Sequence, residues 1–137
     1  MTDFDPEDVL DRLAATARAV AEHAYSPYSQ VRVGAALLAT DGRVFQGCNV
    51  ENASFGATIC AERSALVAAV TQGAREFQAL SLWASPMARL MPCGMCRQML
   101  IEFAPDLVID VTSQGAERQR FRLSELLPGA VRPEHLR

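Results

Sequence analysis

Two cysteine-bearing segments constrain this chain more than any other feature. "MPCGMCR" (residues 91–97) carries Cys93 and Cys96, and "TICAERSAL" (residues 58–66) carries Cys60 two residues ahead of Glu62. Each opens an apolar run with helical spacing. One run predicts a helix from Cys60 to about Gln72, closed by Gly73; the other predicts a helix from Cys93 to about Phe103, stopped by Pro105. A fold for this sequence must therefore start two helices on thiols. Residues three apart share a helical face, so Cys93 and Cys96 can reach one ion. A helix N-terminus also favours the thiolate that a metal needs. Alone, the Cys93–Cys96 pair stays open between zinc, a redox dithiol and two buried side chains.

The remaining elements place these helices. Asp5 is the expected N-cap of a first helix, with Pro6 at its first position and Asp8 in its first turn. Val9, Leu10, Leu13, Ala14, Ala17 and Val20 keep helical spacing to about His23, and "YSPYS" then breaks the helix. Residues 31–39 and 43–49 read as a hairpin around the "TDG" turn. "VENASFGATI" is a loop leading to the Cys60 helix. Residues 78–85 form a third, mostly apolar strand, and "PMARLMP" a loop before the Cys93 helix. Residues 107–112 and 118–123 give two further strands. Only "SQGAE" joins them, too short for a parallel crossover, so that pair should be antiparallel. The tail holds a short helix. The expected fold class is α/β: a three-layer α/β/α sandwich with a mixed five-stranded sheet, as a single domain over residues 1–137. Both thiol-headed helices leave strands, so their N-termini should meet at one edge of the sheet, where such folds bind ligands.

Charge and composition exclude some functions. A net charge of −3 with scattered arginines argues against nucleic-acid binding. "ERQRFR" (residues 117–122) reads as a solvated strand face. The acidic start "MTDFDPEDVL" is unlike a signal peptide, and no apolar run is long enough for a membrane span. A cytoplasmic location is expected, and the four cysteines should be reduced.

Cys60 turns the balance towards metal. Three thiolates at two helix tips leave a fourth position open, the pattern of catalytic rather than structural zinc. Cys48 lacks paired spacing and reads as a small buried residue. At a helix tip, side chains fan around the axis, so Cys60 can hold the ion while Glu62 reaches its water as a proton carrier. Three thiolates make the site electron-rich, and a guanidinium on the sulfurs would offset that charge. Arg63, Arg97 and Gln98 are the nearby candidates.

"C-A-E" at 60–62, "PCGMC" at 92–96, "SPYSQVRVGAALL" at 26–38 and "GCNVENASFG" at 47–56 together resemble the small homotetrameric zinc cytidine deaminases. The resemblance runs nearly the whole chain, through "ELLPGA" at 125–130. It implies one zinc per subunit on Cys60, Cys93 and Cys96, with Glu62 carrying protons between water, the cytosine N3 and the leaving ammonia. It implies ribose contacts from Asn49 and Glu51, the Ala61 N–H on the base O2, and Arg63 and Gln98 behind the ligands. Ala53 and Phe55 would serve a neighbouring subunit's pocket. The implied activity is deamination of cytidine or 2′-deoxycytidine in pyrimidine salvage. Val31 and Val131 stand where the family usually has Phe, and Phe55 where it commonly has Tyr, so tolerance for N4- or C5-substituted cytidines is expected. The alternatives are a blasticidin S-type deaminase, a noncatalytic zinc module using Cys48, and a thiol–disulfide oxidoreductase using Cys93 and Cys96.

Overall fold

The computed structural model describes residues 6–86, 90–114 and 117–136. Helix α1 (Pro6–Val20) runs into a 3₁₀ turn, Ala21–His23. The expected cap Asp5 lies outside the described residues. Strands β1 (Arg32–Ala39) and β2 (Val44–Cys48) form the hairpin, turning at Gly42 with φ +96°. Then follow α2 (Ala61–Thr71), β3 (Phe77–Ser85), α3 (Gly94–Phe103), β4 (Val108–Ser113), β5 (Gln119–Arg122) and a single turn, α4 (Leu123–Leu126). The sheet has five strands in the order β2-β1-β3-β4-β5. Only β3 and β4 pair in parallel, with α3 as the crossover; the other neighbours are antiparallel, β4 and β5 included. The middle of the loop "PMARLMP" (Met87, Ala88 and Arg89) and part of "SQGAE" (Gly115 and Ala116) lie outside the described residues.

Period-two alternation in β1 builds both cores at once. Val33, Ala35, Leu37 and Ala39 join the larger cluster, with Ala65 and Leu66 of α2 and Leu100 of α3. Ala36 and Leu38 face the other way and join Leu10, Leu13 and Ala17 of α1. Helices thus cover both faces, so β1 is buried along almost its whole length.

Two glycines let the helices approach the hairpin closely. A Cβ at Gly34 would stand 1.8 Å from the Ala17 carbonyl oxygen, and one at Gly47 would stand 2.4 Å from the Ala65 nitrogen. Backbone meets backbone at both points, so no side chain can give way. The alanine-rich faces of α1 and α2 belong to the same contact.

One expectation is sharpened. "ERQRFR" does alternate half-buried and exposed along β5, but two of its arginines are paired as well as solvated. Arg118 holds both carboxylate oxygens of Asp110 at 2.8 and 2.9 Å, and Asp110 is fully buried. Arg120 reaches Asp110 at 3.4 Å and Glu7 at 2.6 Å, and Arg118 also pairs with Asp11. Residues 118 and 120 share one face of edge strand β5. Through Asp11 and Glu7 the two arginines tie α1 to the sheet edge. Alternation in a sequence tells which residues share a face, not which charged partners they meet.

Gly34→Ala should destabilise the protein by about 3 kcal/mol or more, at the top of the usual range for overpacking. Gly56→Ala, where an added Cβ meets nothing within 4 Å, should stay within about 0.5 kcal/mol. Denaturant midpoints of the two variants check this.

Candidate active site

Cys60 and Cys93 occupy equivalent places. Each is the extended N-cap of its helix, Cys60 at φ −74°, ψ 156° before α2 and Cys93 at φ −67°, ψ 166° before α3. Neither side chain is spent capping its own helix. Cys96 lies in the first turn of α3 and is buried. The sulfurs of Cys60 and Cys93 are 3.8 Å apart and those of Cys93 and Cys96 3.3 Å apart, all three within 4.8 Å of one another. Tetrahedral zinc with Zn–S bonds of about 2.3 Å needs sulfurs about 3.8 Å apart, so the donor set and its spacing fit that ion. Cys48 is outside this group, which removes the closed four-thiol site from the alternatives.

The electrostatics follow from crowding. The Cys96 thiol beside Cys60, together with Arg63, pulls the Cys60 thiol down to about 5. Cys96 is pushed up, first by that same interaction with Cys60 and then by burial. Without metal, one proton therefore stays on Cys96 while Cys60 ionises. Glu62 is only 4% exposed. Burial, reinforced by the negative Cys60, raises its carboxyl from 4.5 to about 7. Arg63 places Nη2 3.0 Å from the Thr58 carbonyl and 3.9 Å from the Cys60 sulfur. Among the described residues, it is the arginine that meets a sulfur of this group.

Cys60, Cys93 and Glu62 open into a cavity of about 250 Å³, which Val31, Asn49, Glu51 and Ala61 also line, while Cys96 lies buried behind it. Asn49 and Glu51 are less free than the sequence suggests. Asn49 accepts from the Val33 N–H at 2.9 Å and donates to the Val31 carbonyl at 2.8 Å, which pins the entry of β1. Glu51 accepts from the N–H groups of Tyr28 and Ser29 at 3.0 and 3.1 Å and from the Ser29 hydroxyl. Both side chains thus build the loop before they face the cavity. Phe55 is 74% exposed, stacks edge-on against Tyr28 at 5.7 Å, and lines an adjoining hollow rather than the cavity. Ala53 and Val131 are exposed and line neither. Gln98 donates to the Val131 carbonyl and Arg97 to two other carbonyls, so neither is bonded to a ligand sulfur.

Leu90 and Met91 line the cavity and escaped the sequence reading, although they stand directly before "PC". Ser29 escaped it too. Among the described residues, no aromatic ring lines the cavity. A larger crevice of about 470 Å³ lies between α1 and the β1–β2 turn, far from the thiols; its Arg12 and Asp41 are spent in surface ion pairs.

The profile of the "cytidine and deoxycytidylate deaminase zinc-binding region" matches residues 8–112. The chain belongs to this family. Similar proteins include the cytidine deaminase of Sporosarcina psychrophila, 41% identical over 128 residues (93% of this chain and 94% of that protein). The cytidine deaminase of Halalkalibacterium halodurans is 45% identical over 116 residues, 84% of this chain and 88% of that one. Among solved structures, the cytidine deaminase of Burkholderia pseudomallei superposes with a TM-score of 0.84 at 43% identity, covering 88% of this chain and 98% of the other. The cofactor of this deaminase domain is zinc, and Cys60, Cys93 and Cys96 are the described group that can hold a metal ion. No described helix is long and apolar enough to cross a membrane.

In the metal-stripped deaminase domain, iodoacetamide at pH 6.5 should modify Cys60 ahead of Cys48 and Cys96. Cys60 is already a thiolate above about 5, whereas burial raises the Cys48 thiol. Zinc should protect Cys60, Cys93 and Cys96 and leave the rate at Cys48 unchanged; peptide mass spectrometry reads the order.

Proposed function

We propose that this chain deaminates cytidine, 2′-deoxycytidine or both, exchanging the C4 amino group for oxygen from water and releasing ammonia. The observation that carries this reading is the carboxyl of Glu62, buried on the floor of a cavity beside three sulfurs spaced for one metal ion. Zinc held by Cys60, Cys93 and Cys96 supplies Lewis-acid activation of water. Glu62 supplies the proton transfers: its carboxylate takes a proton from the attacking water and returns protons to N3 and to the departing amine. Burial, the largest influence on Glu62, holds its carboxyl above the usual carboxylate range, which suits a group that must both take and give a proton. Arg63 offsets thiolate charge from behind.

The mouth of the cavity suits a sugar. Asn49 still has a second amide N–H and Glu51 still has lone pairs, a donor and an acceptor for one hydroxyl. Ala61 lies in the first turn of α2, where backbone N–H groups lack helical acceptors, so its N–H is available to the base O2. Ala53, Phe55 and Val131 fit this scheme as groups lent to a neighbouring copy's site in a homotetramer, since one chain alone leaves them exposed. The protein would then work as a single-domain cytoplasmic enzyme of nucleoside salvage. Val31 and the other aliphatic walls leave room for cytidines substituted at N4 or C5.

Glu62→Gln should keep its zinc and its melting temperature and lose about a hundred- to ten-thousand-fold in turnover. Ammonia release from cytidine and metal analysis measure the two together. A zinc module without catalysis would show no ammonia release in either protein. Val31→Phe should lower kcat/KM for N4-substituted cytidine relative to cytidine. An unchanged ratio would remove the tolerance proposal while leaving deamination intact.

A further inference from the structure

Arg97 follows the ligand Cys96, yet its guanidinium lies on backbone carbonyls. Nε donates to the Pro92 carbonyl at 2.7 Å, and Nη1 donates to the Leu126 carbonyl at 2.7 Å. The backbone N–H of Arg97 bonds to the Cys93 carbonyl at 3.0 Å. One residue therefore grips the carbonyls of both Cys93 and the residue before it. Beside it, Gln98 donates to the Val131 carbonyl at 2.9 Å. Two consecutive side chains of α3 thus strap the segment 126–131 across the helix end that carries the thiols.

This grip falls where the ligand turn is least determined. Cys96 is inside the helix and is held by it. Cys93 is an N-cap, and its sulfur depends on the torsions linking it to Pro92. Proline has no N–H, so the Pro92 carbonyl is the polar handle that residue offers. We propose that Arg97 is a positioning residue. Its fork sets the Cys93 sulfur relative to Cys60 and Cys96, and it couples the anchoring of the C-terminal segment to the metal site. The proposal rests on the zinc-site reading above and goes beyond it, because Arg63 already meets the charge of the thiolates.

Geometry and charge make opposite predictions for lysine. An ammonium keeps the charge but cannot reproduce a planar fork spanning two fixed carbonyls. The test uses zinc-loaded full-length protein with Arg97→Lys, Arg97→Gln and, as a control, Arg75→Lys. Arg75 also binds backbone carbonyls, those of Val70 and Ala74, but outside the site. The readouts are zinc release to a chromophoric chelator and amide hydrogen exchange over residues 91–97 and 126–131. Both Arg97 variants should release zinc about tenfold faster, the lower end of what lost support behind metal ligands usually costs. Exchange should rise in both segments together, and Arg75→Lys should match the wild type. Wild-type zinc release from Arg97→Lys would overturn the proposal, as would faster exchange confined to residues 126–131. If neither Arg97 variant folds, Gln98→Leu loosens the strap from its other end. Faster exchange must then reach residues 91–97, and protection there at the wild-type level would equally overturn the proposal. No readout uses a nucleoside, so a wild-type protein that holds zinc but deaminates nothing would sink the proposed function and leave this inference standing.

Discussion

Everything in this protein depends on bringing two helix N-termini to within a few ångströms of each other at one end of a sheet. The sulfurs of Cys60 and Cys93, on caps of different helices, lie 3.8 Å apart. Helix axes cannot normally converge so far, because side chains keep them about 8–10 Å apart. Here the tips meet rather than the shafts. The bare backbone of β2 at Gly47 lets α2 settle onto the hairpin, and the parallel β3–β4 pair brings α3 back across the same face. The fold's small residues and its one parallel step both serve this convergence.

Convergence concentrates negative charge, and the surrounding residues answer it. Cys60 is ionised at neutral pH, and Glu62 is buried next to it. Opposing charge comes from Arg63, and the partial positive charge of two helix termini adds to it. The result is a carboxyl whose proton is held loosely near neutrality, which a surface glutamate could not achieve. The same burial that shifts Glu62 makes it costly, and Ala61, Ala65 and Leu66 of the same helix belong to the larger core.

Most elements were legible because their signals are local. The hairpin followed from alternation around a turn, the antiparallel β4–β5 pair from a short connection, and the thiol-headed helices from caps and breakers. Three features were not legible, each for a reason of distance. The arginines of β5 met a buried aspartate on β4 and acidic residues of α1, more than a hundred positions away in sequence. Asn49 and Glu51 were legible as polar loop residues, but their bonds to residues 28–33 depend on how two loops cross. Leu90 and Met91 carry no motif of their own and line the cavity only because the loop bearing them passes it.

The sequence alone determined the chemistry available: four thiols, a carboxyl beside Cys60 and two candidate guanidinium groups, most of them at a helix start where charge state is biased. These are properties of residue type and of spacing within a single turn, which the chain carries wherever it goes. Tertiary structure decided which of these groups meet. It excluded Cys48 from the thiol cluster, set Arg63 rather than Arg97 against sulfur, and turned Arg97 and Gln98 towards the C-terminal segment. A guanidinium satisfies a thiolate or a carbonyl about equally well. Its choice is made by whichever partner the packed chain brings within 3 Å, and sequence spacing does not encode that distance.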